Sequence, residues 1–468
     1  MKTKLPISIL TILILSFLLI SCEDFVEVDS PNNKLIRDEV FGSDETAISA
    51  MQGIYNELFV ADFSGGYTRS VTFLSGLSAD NIQNITTTNL ERMAFEENEL
   101  FPDNQNNLAL WSSAYNIIYM ANSYIEGIKN AENLSPDLIS QLNGEAKFIR
   151  AFTYSYLVNL YGDVPLVLST NYQDNELAPR VSASKIYEQI IDDLEIARES
   201  LTAEYRNADR TQVNKFAATA LLARVYLYLK DWEKAEELSS QVIAEESLYE
   251  LPDDLDEVFL ANSREAIWQI SPLGNGSIVT HTNEGNLFII DPFFSFFAIA
   301  KLPESLLTDF RPEDKRLLKW IDYNPSRDAY FPYKYKIRNS SELPILENSM
   351  VLRLAEQFLI RSESRTELND LPGATEDLDQ IRTRAGLDPI SEILPELSKE
   401  QLLKEIAQER KRELFSEWGH RWLDLKRTGR ASTVLGNSNP TWEDTDVLYP
   451  IPAQERMKNP NLSQNPGY

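Results

Sequence analysis

The stretch Asn214–Glu245, NKFAATALLARVYLYLKDWEKAEELSSQVIAE, carries the pattern that decides the fold. Ala223 and Ala235 are small, Tyr226 is aromatic, and Lys230-Asp231-Trp232 separates two runs of helix-forming residues. Two helices joined by a short turn need small side chains where their backbones approach and an aromatic ring to fill the groove left by their crossing. The spacing therefore predicts a helical hairpin. A second hairpin is expected over Val351–Thr366 and Ala374–Ala385, with Leu371-Pro372-Gly373 between them. Upstream, Leu110, Ala114, Ile117, Ile118, Ala121, Ile125 and Ile128 fall on one stripe at three- and four-residue spacing, which predicts an amphipathic helix. Another long helix is expected over Ile139–Leu160, stopped by Gly162-Asp163-Val164-Pro165.

The small–aromatic–small spacing is that of a tetratricopeptide repeat, although no strict period of about 34 residues survives. Several hairpins in one chain predict a mainly α protein built on a tetratricopeptide-like helical-repeat scaffold. From about 251 to 346 the helical periodicity fades, proline and glycine rise, and aromatics crowd: Phe288, Phe293, Phe294, Phe296, Phe297, Trp320, Tyr323, Tyr330, Phe331, Tyr333 and Tyr335. Tyr333, Tyr335 and Ile337 alternate with Lys334, Lys336 and Arg338, a strand pattern whose basic face is expected to be solvated. The segment reads as an irregular, loop-rich insertion with short strands. Loops held on a rigid frame are where binding usually resides.

At the other end, Lys2 and Lys4 lead into an uncharged, mostly apolar run from Ile7 to Ile20, followed by Ser21 and the chain's single cysteine, Cys22. The run is shorter than the roughly 20 apolar residues that span a bilayer. Its layout predicts an export signal over residues 1–21. Leu19-Ile20-Ser21-Cys22 resembles a bacterial lipobox, with Cys22 as the lipidated first residue of the mature chain. Residues 22–35, acidic and polar, read as a tether, and 36–468 as one folded domain. With one cysteine there are no intrachain disulfides to expect. A formal charge of −28 over 468 residues argues against nucleic acid phosphates as a partner.

Signs of chemistry are few. The two histidines, His281 and His420, lie in no HExxH arrangement, and no GxSxG, Walker, GxGxxG or CxxC motif occurs. No enzymatic activity, cofactor or metal is expected. Asp322, Asn324, Ser326 and Asp328 have the oxygen spacing of half a calcium loop, but Pro325 and Arg327 interrupt it and Tyr333 stands where a closing glutamate belongs, so a solvated turn is expected. Between Glu409 and Arg430, seven basic residues interleave with four acidic ones, which predicts an internally paired helix surface. In particular, Glu417 can meet Arg421 and His420 can meet Asp424 at i, i+4, while Leu414, Phe415, Trp418, Trp422 and Leu425 form a buried face.

Taken together, these residues resemble the SusD/RagB family of outer-membrane nutrient-binding lipoproteins. The resemblance runs through Asp24-Phe25, Phe41, Ala50–Tyr55 (AMQGIY), Ser78–Asn81 (SADN), Trp111–Asn122 (WSSAYNIIYMAN), Gly144–Phe152 (GEAKFIRAF) and Tyr161–Pro165 (YGDVP). It is strongest in Glu409–Arg427 (ERKRELFSEWGHRWLDLKR) and Tyr449–Tyr468 (YPIPAQERMKNPNLSQNPGY), the latter proline-rich and expected to run as an extended strap. The resemblance implies a lipid-anchored protein on the cell surface that captures a glycan, or in some members a peptide, and delivers it to a TonB-dependent β-barrel transporter. An alternative is a structural or assembly lipoprotein whose repeats bind other proteins.

A sugar site needs flat apolar surfaces for C–H faces and polar groups for hydroxyls. Trp111, Trp232, Trp418 and Trp422 sit in helical motifs and are expected in the core. The ligand-contact candidates are loop residues: Tyr67 beside Gly65-Gly66, Asp80, Asn81, Phe95, Phe101, Tyr330 and Tyr333. The segment Ile82–Leu108 holds no tryptophan, which keeps a peptide ligand open.

Overall fold

The computed structural model describes residues 37–468 apart from 207–208, 275–278, 395 and 438. Cys22, the signal and the 22–35 tether lie outside the described residues. Helix α1 (Asp44–Val60) opens on a capping box between Ser43 and Thr46, and α2 (Val71–Ser78) is buried throughout. Short α3 (Leu90–Glu96) precedes α4 (Gln105–Ile128), which starts where the Asn104 side chain accepts hydrogen bonds from the N–H groups of Asn106 and Asn107. Leu110, Ala114, Ile117, Ile118, Ala121 and Ile128 are buried along α4, as their spacing predicts. Helix α5 (Pro136–Tyr161) carries Pro136 in its first turn, where a missing N–H costs nothing. Gly162 ends it at φ 71°, a conformation strained for any residue with a Cβ.

Helix α6 (Ala183–Ser200) packs on α5. The hairpin that the opening stretch predicts is formed by α7 (Lys215–Leu229) and α8 (Trp232–Ile243). Asn214 caps the first helix, Lys230 turns through the left-handed region, and the Asp231 carboxylate accepts from the Lys234 N–H to start the second. Ala223 and Ala235 have no exposed surface and Tyr226 almost none. After α9 (Asn283–Phe288), which lies in the insertion, a second hairpin follows in α10 (Leu354–Glu367) and α11 (Leu371–Arg384). Here the boundaries differ from expectation. Val351 belongs to a strand, and Leu371-Pro372-Gly373 forms the first turn of α11, capped by Asp370 through the Gly373 N–H. Helices α12 (Lys399–Glu413), α13 (His420–Arg427) and α14 (Ala453–Lys458) complete the frame.

The strands are short and pair in twos, all antiparallel: β1 (Gln83–Asn84) with β5 (Ala300–Lys301), β2 (Val164–Pro165) with β3 (Arg180–Val181), β4 (Ala266–Ile270) with β8 (Ser349–Arg353), and β6 (Ile321–Asn324) with β7 (Ala329–Pro332). The β4–β8 pair is fully buried and closes the insertion onto the helices; Trp268 of β4 meets Phe148 and Phe152 of α5 edge-on at 5.0 Å each. The calcium-like spacing from Asp322 to Asp328 is the β6–β7 hairpin, where the Tyr323 hydroxyl donates to Asp328 at 2.7 Å. No described helix is long and apolar enough to cross a membrane.

Three charge expectations are corrected. First, Glu409–Arg427 is not one helix: Ser416, Trp418 and Gly419 all have positive φ and separate α12 from α13. The predicted apolar residues are buried, but the acidic and basic groups take other partners than the expected i, i+4 ones. Glu417 pairs with Arg353 and Lys334, Arg421 with Asp80, and Asp424 with Arg410 and Arg427. His420 is enclosed, and burial lowers its imidazole to about 4. Second, the basic run is no surface, since Arg410, Lys411 and Arg421 are buried. Third, Lys334, Lys336 and Arg338 share no strand face. Lys334 is buried over the Phe415 ring and donates to the Glu413 carbonyl, Lys336 reaches Asp256, and Arg338 reaches Asp291.

Lys334 belongs to a buried ionic cluster. Arg353, at the end of β8, contacts Glu265 at 2.8 Å, Glu413 at 2.6 Å and Glu417 at 2.8 Å. Arg316 contacts Asp314, Glu409 and Glu413, and Arg384 bridges Glu265 and Glu413. Arg316 and Lys334 come from the insertion and the glutamates 409, 413 and 417 from the α12–α13 region, so the cluster fastens the insertion to the frame. The C-terminal strap performs the same service elsewhere, with α14 as one helical interruption. The Tyr449 hydroxyl meets Ser78 Oγ at 2.9 Å, Asn107 donates to the Pro450 carbonyl at 2.8 Å, and Asn465 donates to the Tyr161 carbonyl at 2.9 Å.

Candidate functional site

Along one edge the insertion meets the N-terminal helices. The β1–β5 pairing places Gln83 opposite Lys301 and Asn84 opposite Ala300, and an Ile85 N–H to Ile299 carbonyl bond of 2.9 Å extends it. Asn283, at the start of α9, donates to the Gly65 carbonyl at 2.6 Å and so holds the 65–70 turn against the insertion. Gly66 there has φ 73°, and a Cβ on it would fall 2.3 Å from the Glu284 carboxyl carbon, so only glycine fits. Glu284 lies buried behind it, accepting from Ser349 Oγ. Burial pushes its carboxyl up to about 7; the Ser349 hydrogen bond opposes this, and the charges of Glu347 and Glu417 reinforce it.

These elements surround a cleft of about 520 Å³. Tyr67, Thr68 and Arg69 line it from the turn, Asn89 and Arg92 from the start of α3, Asn106 from α4, and Asn286 and Leu287 from α9; Phe297, Ile299 and Arg338 close it. Beside it, the loop that follows α9 turns its rings outward. Asp291 accepts the N–H groups of Phe293 at 2.8 Å and Phe294 at 2.9 Å. Phe293 is 87% exposed, Phe294 55%, Phe296 62% and Phe297 65%. Phe296 and Phe297 lie 4.2 Å apart between ring centroids. Arg327 donates to the Ser295 carbonyl at 2.7 Å, tying the loop to the β6–β7 hairpin, where Tyr323 and Tyr330 pack at 4.8 Å and both remain partly exposed. A water-facing cluster of large rings marks a contact surface for a partner or ligand. Here the rings adjoin amide and guanidinium groups, the combination that grips a polyhydroxylated ligand.

Of the residues singled out from sequence, Tyr67 lines this cleft, while Tyr330 and half-buried Tyr333 stand on or just after the hairpin. Phe101 is partly exposed in the turn before α4 and takes no part in the lining. Asp80 is occupied by Arg421 at 2.6 Å and Lys411 at 2.8 Å. Although burial raises its carboxyl, these cations hold it well below the usual range, and it faces a separate groove. Asn81 is buried, and Phe95 is corrected to a core residue: its ring has no exposed surface and meets Tyr449 edge-on at 5.3 Å. Trp111, Trp418 and Trp422 are core, but Trp232 is only partly buried. Sequence reading missed the outward turn of Phe293–Phe297 and the arginines 69 and 92, and it set Arg338 on a solvated strand face. The available signal was the Asp291-Pro292 start followed by Ser295, polar and turn-forming residues around an otherwise apolar run.

Residues 24–227 match a family profile described as starch-binding associating with outer membrane, and residues 320–468 match the SusD family profile. The chain belongs to the SusD/RagB family. It is 26% identical to a SusD-like protein of Formosa agariphila over 98% of each chain. It is 23% identical to the starch-binding protein SusD of Bacteroides thetaiotaomicron, over 73% of this chain and 74% of that one. Among solved structures, a SusD superfamily protein from Bacteroides vulgatus superposes with a TM-score of 0.80 at 20% identity, covering 91% of this chain and 99% of the other. A laminarin-binding SusD-like protein superposes with a TM-score of 0.76 at 22% identity, covering 91% and 100%. These likenesses establish the mainly helical SusD-like fold. In this SusD/RagB chain the Phe293–Phe297 loop lies between the two matched stretches, whereas Tyr67, Arg69, Arg92 and Arg338 lie within them.

Proposed function

We propose that this protein is a nutrient-binding lipoprotein of the outer membrane, anchored through Cys22 and exposed at the cell surface. It captures a glycan in the cleft beneath the Phe293–Phe297 loop and delivers it to a TonB-dependent β-barrel transporter. The observation that carries this reading is the pairing of outward-turned rings with a polar cleft on a helical frame. The family profile and the laminarin-binding neighbour support a saccharide as the ligand class. Tyr67 and Phe297 supply the stacking faces, Asn89, Asn106 and Asn286 the amides, and Tyr330 and Tyr333 extend the surface toward the hairpin. A lipid tether would hold the binder at a high effective concentration beside its transporter.

Calorimetric titration of the full chain with oligosaccharides and a mixed peptide pool tests the reading. Saturable binding of a saccharide is expected, and Tyr67→Ala and Phe297→Ala should each weaken it about tenfold, equivalent to about 1.4 kcal/mol. Binding of peptides alone would overturn the glycan assignment, and binding of neither would favour an assembly role. Cell fractionation checks the anchor: Cys22→Ser should move the protein from the membrane to the soluble exported fraction.

A further inference from the structure

The cleft is electropositive in a strongly acidic protein. Its lining holds Arg69, Arg92 and Arg338 and no aspartate or glutamate, in a chain whose net charge is −28. Four arginines away from the cleft are tightly matched: Arg316, Arg353, Arg421 and Arg427 each lie 2.6 Å from a carboxylate oxygen. Those of the cleft are not. Arg69 stands 3.7 Å from Asp62 and Arg338 3.5 Å from Asp291, both part-exposed pairs. Arg92 makes no ion pair among the described residues, and the Nε atoms of Arg92 and Arg338 are enclosed without a hydrogen-bond partner there. Burial without a counter-charge also lowers the Arg92 guanidinium below its ordinary value.

A guanidinium that is half-desolvated and lacks a carboxylate is unfavourable unless a ligand supplies one. Its planar fork matches carboxylate and sulfate oxygens two at a time. The rings of Tyr67 and Phe297 border the same space, so a sugar ring could stack while its anionic substituent meets an arginine. The geometry points to an acidic saccharide, one bearing carboxylate or sulfate groups, as the ligand of this cleft, an inference that rests on the glycan-capture reading above. The overall negative charge of the protein would repel a polyanion at long range, so recognition is confined to the short-range field of the three arginines. The affinity should therefore fall as salt screens those contacts.

The test is calorimetric titration of the full chain with length-matched neutral, uronate-bearing and sulfated oligosaccharides and with an acidic peptide. One of the acidic saccharides should bind at least about tenfold more tightly than the neutral one at low salt, and the advantage should shrink at high salt. Arg92→Gln and Arg338→Gln should each erase most of that preference, and Arg92→Lys should restore part of it. Should a variant fail to fold, as judged by its thermal transition, the exposed Arg69→Gln gives the same readout. Uronate against sulfate distinguishes the two sources of charge. Equal or tighter binding of the neutral saccharide would overturn the charge assignment and leave glycan capture standing. Binding of the acidic peptide alone, or of nothing, would overturn both.

Discussion

Glu413→Ala is expected to lower folding stability by about 3–5 kcal/mol, the range for breaking a buried pair by removing one partner. Glu413 accepts from Arg316 at 2.8 Å and from Arg353 at 2.6 Å, and it also pairs with Arg384, so its loss strands part of three enclosed guanidiniums. Each keeps other carboxylates, Glu265, Glu409, Asp314 or Glu417, but the balance of the cluster shifts toward uncompensated positive charge. Burial alone would raise the Glu413 carboxyl, yet Arg384, Arg353 and Arg316 hold it well below the usual range. A carboxylate depressed in the folded state contributes stability above its ordinary titration range, and the contribution is lost as pH falls through the depressed value. Thermal unfolding should therefore show a large loss in Glu413→Ala at neutral pH. Between about pH 5 and pH 2 the variant should also have a shallower decline than the parent. An unchanged melting temperature would mean that the cluster contributes registry and no stability.

Glu284→Gln should act in the opposite direction. The folded value near 7 lies above the ordinary glutamate value of 4.5. The neutral form is thus preferred in the folded state, and no penalty exists below the ordinary value. As pH rises from about 4.5 to 7 the unfolded chain ionises first and stability falls; above about 7 the penalty is complete. The full penalty is about 3 kcal/mol, because every tenfold difference in proton affinity between the folded and unfolded chain is worth about 1.4 kcal/mol. Glutamine keeps an acceptor for Ser349 Oγ and removes the charge facing Glu347 and Glu417. The variant should melt several degrees higher at about pH 8 and nearly unchanged at about pH 5. Equal changes at both values would assign the effect to packing against Gly66.

The parts of the fold that were legible in the sequence are those where one side chain reports its own environment. The α4 stripe, the stop at Gly162 and the Ala223–Tyr226–Ala235 spacing each need only neighbours a few positions away, and each appears in the structure. Charge was misread because its partners are distant in sequence. Lys334 alternates with aromatics as a solvated residue would, and its burial is explained by Glu413 and Glu417, 79 and 83 positions later. Glu409–Arg427 has continuous helical texture, and its one visible warning was Gly419, since Ser416 and Trp418 adopt positive φ without advertising it. At the site, Tyr67 was identified from its glycine-flanked turn. The loop phenylalanines were visible as part of the insertion's aromatic crowd, but nothing local tells which rings of such a crowd face water, and the arginines could not be grouped before folding joined three separated stretches.

The strap from Tyr449 to Tyr468 also sets when the protein can finish folding. The helical hairpins join neighbours in the chain and can form as soon as their own residues are free to fold. The Tyr449–Ser78 bond, by contrast, spans 371 positions, and the Asn107–Pro450 bond 343. Such pairings raise contact order and slow the last step. The buried rings of Phe95 and Tyr161 that Tyr449 meets therefore stay uncapped until the strap docks. Docking of residues 449–468 is thus the closing latch of the frame, joining α2, α4 and α5 to one another only after each has formed.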